Sequence, residues 1–369
     1  MQTSARREHK RMPKACKIIY LIGAISLVLY IIFLLSPTFA DWFNRYVGQA
    51  GRFLLAALTS WIPFSVAELL LLLIPLWFYL ILRTGYRHYS HTNRSMLTYF
   101  GILLSGLCVI WILFVWNFAA GYYGTALDQK LDLDRRESSA EDLYETALIL
   151  SDELNACADE IVLLESGSSA MPYSYDEMND KLLDAYSRFC QRNGFVNNFS
   201  SKVKPVMLSE PMSYTHITGV YTFFTGEANI NINFPDFTIP FTAAHELAHQ
   251  RGVAREEEAN FIAFLICMES DDPYIRYSGA LSLYEYVAAA LASSDAKLWR
   301  DAYRTLPDKV RAEEAAYAAF FDRYRDNVAA DISEATNNLY LQSQGNSAGT
   351  KSYGLVVDLA VAYYRPAFE

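Results

Sequence analysis

Three long apolar stretches dominate the first third of the chain. They are residues 18–35, 64–82 and 97–118. Each is close to the roughly 20 apolar residues that a helix needs to cross a bilayer. In the second stretch, Pro75 predicts a kink, and Glu68 lies near enough to its start to reach the membrane interface. The pattern therefore predicts a membrane domain of residues 1–123 with three transmembrane helices and the lipid bilayer as its partner.

Residues 124–369 have the periodicity of a mainly helical domain. Ser139 is well placed to cap its first helix, which begins at Ser138. Later helices are predicted over 175–191, 256–269, 273–293, 307 to about 342, and 355–364. The alternation from Asn229 to Asn233 is typical of a strand with one buried face. The expected fold is mainly α, with an α+β domain that contains a small sheet.

The distribution of charge predicts how the chain is oriented in a membrane. The chain is 52% hydrophobic with a formal net charge of -10, and its acidic residues follow the apolar third. Basic residues flank the first stretch and separate the second from the third: Arg6, Arg7, Lys10, Arg11, Lys14, Lys17, then Arg83, Arg87 and Arg94. Only Arg45 and Arg52 lie between the first two stretches. The positive-inside rule then predicts a cytoplasmic N-terminus and an extracytoplasmic domain 124–369.

Five cysteines are compatible with that location. Cys157 and Cys190 lie on neighbouring predicted helices, where they would form either a disulfide or a pair of buried thiols. The sequence has no CxxC motif, glycine-rich phosphate loop, basic nucleic-acid stripe or serine or cysteine nucleophile signature. A nucleic-acid partner is therefore not expected.

The strongest chemical signal is the run His245-Glu246-Leu247-Ala248-His249. Two histidines four residues apart lie on one face of a helix and can bind one Zn²⁺ ion. Pro240 fits the first turn of that helix. Glu246 is then placed to act as the catalytic base toward water on the metal. The alternative, two surface histidines beside a salt-bridging glutamate, fits less well because the flanking residues are small and apolar and a strand precedes them.

A third ligand is expected beyond Gly252, where the helix can stop and turn back. Glu256 is the preferred candidate because Asn260 lies one turn later on the same face and could hydrogen-bond a metal-bound histidine. Glu258 is the alternative third ligand, and Glu257 points away. A charged first helical turn would explain some of these glutamates without a metal. Candidates for stabilising an oxyanion are Tyr214, Tyr221, Tyr284, Tyr353 and His216.

His245-Glu246-x-x-His249 followed by Glu256-x-x-Ala259-Asn260 resembles the gluzincin pattern, HExxH followed by ExxA(D/N), of ImmA/IrrE-type and CaaX-protease-like metallopeptidases. That resemblance implies a zincin-like domain in which Glu256 is a zinc ligand. Only six residues separate His249 from Glu256, fewer than in those families. The spacing is closer to that of metzincins, but the metzincin ligand position would be Arg255, which cannot bind zinc. The apolar stretches with HELAHQRG and EEEANF also resemble a bacterial membrane family, domain of unknown function 3810.

Two functional hypotheses follow from these residues. The first is a membrane-anchored zinc metallopeptidase that cleaves peptides or proteins of the cell envelope. The second is a membrane sensor or scaffold with a structural or degenerate metal site. A structural site is closed by four protein ligands, so a fourth ligand from Glu258 or His216 would favour the second hypothesis.

Overall fold

The computed structural model describes residues 12–89, 93–195, 197, 199–325, 327–343 and 353–368. Within these ranges the chain is mainly helical, with one small three-stranded sheet, as the sequence predicts. Arg6, Arg7, Lys10 and Arg11, on which the predicted orientation partly depends, lie outside the described residues.

The N-terminal part consists of short and long helices joined by tight turns. They are α1 (Lys14–Leu35), α2 (Pro37–Phe43), α3 (Gln49–Ser60), α4 (Val66–Leu72), α5 (Ile74–Tyr89), α6 (Asn93–Phe114), α7 (Ala120–Tyr123) and α8 (Leu127–Lys130). Two π-helical turns, Asn44–Gly48 and Val115–Ala119, connect α2 to α3 and α6 to α7. Two of the described helical segments are long and apolar enough to cross a membrane: Lys14–Leu35 and Met96–Tyr123.

The second apolar stretch is not one straight helix. Val66–Leu72 and Ile74–Arg87 are bent by 49° at Leu73, two residues before Pro75. Proline lacks an N–H group and its ring clashes with the preceding turn, so the predicted kink becomes a break. The chain therefore has two helices that could span a membrane, or three if the bent pair is one span.

Ten further helices follow in the described ranges. They are α9 (Ala140–Ala158), α10 (Tyr175–Asn193), α11 (Ser209–Ser213), α12 (Thr238–Gln250), α13 (Glu256–Glu269), α14 (Pro273–Ser294), α15 (Ala296–Tyr303), α16 (Asp308–Phe321), α17 (Val328–Ser343) and α18 (Tyr353–Tyr364). A capping box at Ser139 starts α9, and Gly194 ends α10 with a φ of 69°. The single helix predicted from 307 to 342 is wrong, because turns after Phe321 divide it into α16 and α17.

The sheet has the order β1-β3-β2, in which β1 is Lys204–Pro205, β2 is Gly219–Thr222 and β3 is Glu227–Ile230. β3 pairs parallel with β1 and antiparallel with β2. All four residues of β3 are buried, because α12 and α3 both contact this central strand. The predicted strand with a single buried face is therefore corrected to a fully buried one.

Two carboxylates fasten the start of α4 to the sheet region. Glu227 accepts hydrogen bonds from the backbone N–H groups of Val66, at 3.0 Å, and Ala67, at 2.9 Å, and pairs with Lys204 at 2.7 Å. Glu68, near the start of the second apolar stretch, is buried and accepts from the N–H groups of residues 207 and 208 at 3.0 and 2.7 Å. Charged groups near the second apolar stretch thus connect it to the rest of the protein.

The main hydrophobic core lies around α9, α10, α12, α13, α14 and α18, and a second buried cluster joins α1, α2 and α6 to Ala254. Cys157 and Cys190 are buried in the main core as free thiols, and all five cysteines, each within the described ranges, are unpaired. In the structure Cys157 and Cys190 are therefore buried thiols and do not form a disulfide with each other.

Candidate metal centre

The two histidines of the motif lie on α12, a helix whose residues are nearly all buried between the sheet and α13 and α14. Pro240 is in its first turn, as expected. The i, i+4 spacing places the rings of His245 and His249 on one face, with ring centroids 4.5 Å apart. Both imidazoles line a large cavity.

The chain turns back after α12, and Glu256 at the start of α13 meets both rings. Its Oε2 atom is 3.3 Å from His245 Nε2 and 3.6 Å from His249 Nε2. Among the described residues, these three side chains form the one His, Cys, Asp or Glu group arranged to hold a metal ion. Ligands about 2.1 Å from a tetrahedral ion lie about 3.4 Å apart, so the separations fit the edges of a zinc site.

The turn between the two helices sets the orientation of His249. Gly252 has a φ of 96°, a conformation that favours glycine. This turn brings the Val253 carbonyl oxygen to 2.7 Å from His249 Nδ1. A proton held on Nδ1 by that carbonyl leaves Nε2 free to bind a metal. Asn260 was expected to bond one of the ligand imidazoles, but within the described residues it lies in the cavity wall without doing so.

Side chains from the N-terminal part of the chain hydrogen-bond to the turn at Gly252. Asn44 donates to the Gly252 carbonyl at 2.9 Å. The fully buried guanidinium of Arg52 donates to Asn44 Oδ1 at 2.8 Å, to the Asn117 carbonyl at 2.6 Å and to the Arg251 carbonyl at 3.4 Å. A Cβ at position 252 would overlap both Arg52 and Asn44. The geometry of the candidate metal centre therefore depends on the segment between the first two apolar stretches.

The end of the third apolar stretch and the residues just after it also reach the site. Phe118 packs edge-on against His249, with ring centroids 5.9 Å apart. Tyr122 from the same segment lines the cavity beside it. One wall of the candidate metal centre is thus supplied by residues before position 124.

The charges of Glu256 and the two histidines stabilise one another. Burial acts to raise the pKa of Glu256, yet His249 and His245 hold it well below its usual range. Burial likewise opposes the charged form of His249, but the Glu256 carboxylate outweighs it and raises the pKa of His249 to about 9. The carboxylate therefore stays ionised among the imidazole nitrogens, as a metal ligand must.

Glu246 lies beside these ligands and is buried. Burial raises its pKa to about 7, against the opposing charges of His245 and His249. Its Oε2 atom has no hydrogen-bond partner among the described residues. The other oxygen lies so close to Gly219 of β2 that a Cβ there would be 2.6 Å away. A carboxyl poised near neutral pH, with one oxygen unengaged, suits a general base.

The two competing glutamates lie outside the metal group among the described residues. Glu258 accepts from the Leu127 N–H at 2.9 Å and from Arg255 at 2.8 Å. Glu257 is buried, and burial raises its pKa. Neither joins the group formed by His245, His249 and Glu256 in the described part of the chain.

The cavity in front of the metal group measures about 1050 Å³. Of the proposed oxyanion stabilisers, Tyr221 and His216 line it. The Tyr221 hydroxyl is buried without a partner in the described ranges, whereas His216 Nε2 contacts the Tyr324 carbonyl at 2.8 Å. Tyr284 is buried in the main core, away from the cavity lining.

The remaining two tyrosine candidates for stabilising an oxyanion are Tyr214 and Tyr353. Tyr214 is 45% exposed and packs on Tyr324, and the side chain of Tyr353 lies outside the described residues. Tyr286 and Tyr317 also line the cavity, although nothing in the sequence distinguishes them among the 26 tyrosines.

Residues 43–361 match the family model described as protein of unknown function, DUF3810. The match spans most of the 369 residues. The chain belongs to this family. No curated protein and no solved structure matches the chain at a significant level. The DUF3810 match begins in α2 and ends in α18, so it includes Arg52, Phe118 and the candidate metal centre in one unit.

Proposed function

We propose that this DUF3810 protein is a membrane-anchored zinc metallopeptidase. The observation that carries the proposal is the convergence of His245 Nε2, His249 Nε2 and Glu256 Oε2 beside Glu246, whose Oε2 atom has no hydrogen-bond partner among the described residues. Two histidines and a glutamate are the ligand set of one class of catalytic zinc site. This zincin-like arrangement would hydrolyse peptide bonds.

Each residue has a defined task in this proposal. His245, His249 and Glu256 hold the zinc ion, and the Val253 carbonyl keeps His249 in the tautomer that binds metal. A zinc ion held there lowers the pKa of a bound water to about 7 and polarises a carbonyl. Glu246 would accept the proton of the attacking water and pass it to the leaving amine.

The edge strand β2 supplies a surface for an extended substrate. It pairs with β3 on one side and stands at the end of the described sheet. Gly219, Val220 and Tyr221 of this strand line the cavity in front of the metal group. A peptide could add to that edge as a further strand, with main-chain hydrogen bonds that hold its scissile bond near Glu246.

The contacts of the possible fourth ligands support a catalytic rather than a structural site. A structural zinc site needs four protein ligands. Glu258 is bonded to Arg255, and His216 is bonded to the Tyr324 carbonyl. His245, His249 and Glu256 instead all line the cavity. For this reason the peptidase is preferred to the sensor or scaffold.

The zinc content and activity of the full-length protein in detergent test this proposal. We expect His245→Ala to lose zinc, measured by elemental analysis, because one of the ligands is missing. Glu246→Gln should retain zinc but lose hydrolysis of a peptide library by about 100-fold or more, as expected for removal of a general base.

His216→Ala is the matched control, since it removes another cavity histidine that is not part of the metal group. It should keep its zinc. Full zinc occupancy in the His245→Ala protein would refute the ligand assignment, and unchanged hydrolysis by Glu246→Gln would refute the role of the base.

A further inference from the structure

The same cavity contains a carboxylate that the proposed reaction does not use. Glu285 of α14 lines the cavity together with the metal group. It makes no hydrogen bond and no ion pair with any described residue. Neighbouring Ser282 and Tyr286, one turn and one residue away, line the cavity as well. This face of α14 is therefore open to a substrate.

Among the described residues, the charged groups that act on Glu285 are acidic. Burial raises its pKa to about 8, and the nearby carboxyls of Glu314 and Glu313 add to the shift. Glu313 is occupied, because it accepts from the Ser169 N–H at 2.9 Å and contacts the Tyr277 hydroxyl at 3.3 Å. A positive charge on a ligand stabilises the ionised form of a largely buried carboxyl that has no cation of the protein beside it.

Two further carboxylates lie on the cavity wall. Asp331 and Glu334 face the cavity from α17. Arg325 also lines it, but this guanidinium pairs with Asp322 at 3.0 Å. The wall away from the metal group is therefore mainly acidic. Such a wall attracts cationic ligands and disfavours anionic ones.

We propose that Glu285 forms a subsite that binds a protonated amine or guanidinium of the peptide substrate. This inference rests on the proposed peptidase function and names its substrate class: peptides with a lysine or arginine side chain, or a free amino terminus, near the cleaved bond. The ligand cation would stabilise the ionised form of Glu285, with Ser282 and Tyr286 as polar neighbours in the cavity.

Peptide binding to the zinc-loaded, full-length Glu246→Gln protein in detergent tests the subsite without turnover. The probes are a peptide with one central lysine and the same peptide with norleucine in its place, each with a free or an acetylated amino terminus. We expect loss of the relevant positive charge to weaken binding about 10-fold or more, as charge-assisted pairing implies. If replacement of lysine by norleucine weakens binding, the lysine side chain occupies the subsite. If acetylation weakens binding, the amino terminus occupies it.

Adding Glu285→Gln should abolish the preference, because the amide is similar in size but carries no charge. Glu314→Gln, which removes a carboxylate outside the cavity lining, should retain the preference. Glu285→Lys should favour an aspartate peptide instead. Equal binding of all four probes, or an unchanged preference in the Glu285→Gln protein with normal zinc content, would overturn the subsite.

Hydrolysis by the unmodified protein separates the two proposals. Cleavage of charged and neutral peptides at equal rates would support the peptidase and overturn the subsite. Charge-selective binding with no cleavage of any bound peptide would leave the subsite standing and overturn the peptidase.

Discussion

At the level of single residues, the spacing of His245 and His249 already determined that their rings share a helix face. Only the tertiary structure shows that Glu256, and not Glu258, contacts the two imidazoles. Both belong to the first turn of α13, but Arg255 and the Leu127 N–H engage Glu258, whereas Glu256 meets the two imidazoles. The helix periodicity that favoured Asn260 as a histidine partner overlooked the Val253 carbonyl, because a backbone group carries no mark in the sequence.

A residue-scale prediction concerns Glu314 on α16. Burial raises its pKa to about 7 despite a hydrogen bond with Tyr303 and the charge of Arg311, and one of its oxygens is buried without a partner in the described ranges. The folded protein therefore keeps a proton that the unfolded chain releases near pH 4.5. The stability associated with that proton is present below pH 4.5 and is lost as the pH rises to about 7.

Glu314→Gln should consequently raise the free energy of unfolding at pH 8, by roughly 2 kcal/mol after allowance for residual exposure, and change it little at pH 4.5. Denaturant unfolding of the detergent-solubilised protein at the two pH values measures the difference. Glu165→Gln, at an exposed position, serves as the control. An equal effect of Glu314→Gln at both pH values would contradict the predicted titration.

At the level of elements, the sequence predicted helices best where caps and periodicity agree. Ser139 starts α9, and the predicted span 256–269 coincides with α13. Prediction failed where a long polar helix is interrupted, between α16 and α17, and it did not include α15. The central position of β3 was also hidden, because burial of both faces arises from contacts with α3 and α12, which are distant in sequence.

An element-scale prediction tests the link between the N-terminal helices and the metal group. Arg52→Lys should lower zinc affinity about 10-fold, since an ammonium cannot reproduce the several hydrogen bonds by which the guanidinium joins Asn44, Asn117 and Arg251. Competition with a zinc chelator measures the affinity, and the visible spectrum of the cobalt-substituted protein reports the ligand geometry.

Arg45→Lys is a matched control, because Arg45 is exposed and lies in the π-helical turn before α3. Its zinc affinity and cobalt spectrum should not change. If Arg52→Lys lowered the melting temperature but left both of these properties intact, the arginine would support the fold alone and not position the metal ligands.

At the level of the whole molecule, the N-terminal helices and the candidate metal centre form a continuous structure. Glu227 and Glu68 join the start of α4 to the sheet region, and Phe118 packs on His249. The predicted division into domains 1–123 and 124–369 remains a prediction. These contacts indicate that a fragment limited to 124–369 would lack part of the wall and support of the site.

The orientation of the chain is a whole-molecule prediction that follows from its basic residues. The positive-inside rule places the candidate metal centre outside the cytoplasm. A cysteine introduced at exposed Glu165 should react with a membrane-impermeant thiol reagent on spheroplasts, whereas one at exposed Arg87 should react only after permeabilisation. The native cysteines are buried or half-buried and should contribute little background. The reverse labelling pattern would refute the orientation.

The sequence by itself determined the apolar helices, the kink expected at Pro75 and the pair of histidines, because each depends on local spacing and chain chemistry. Only the tertiary structure decided which glutamate meets the histidines, which carbonyl orients His249 and which residues hold the turn at Gly252. Those contacts join positions as far apart in the chain as Asn44 and Gly252. Local periodicity carries no information about which distant surfaces pack together, so the fold itself had to provide it.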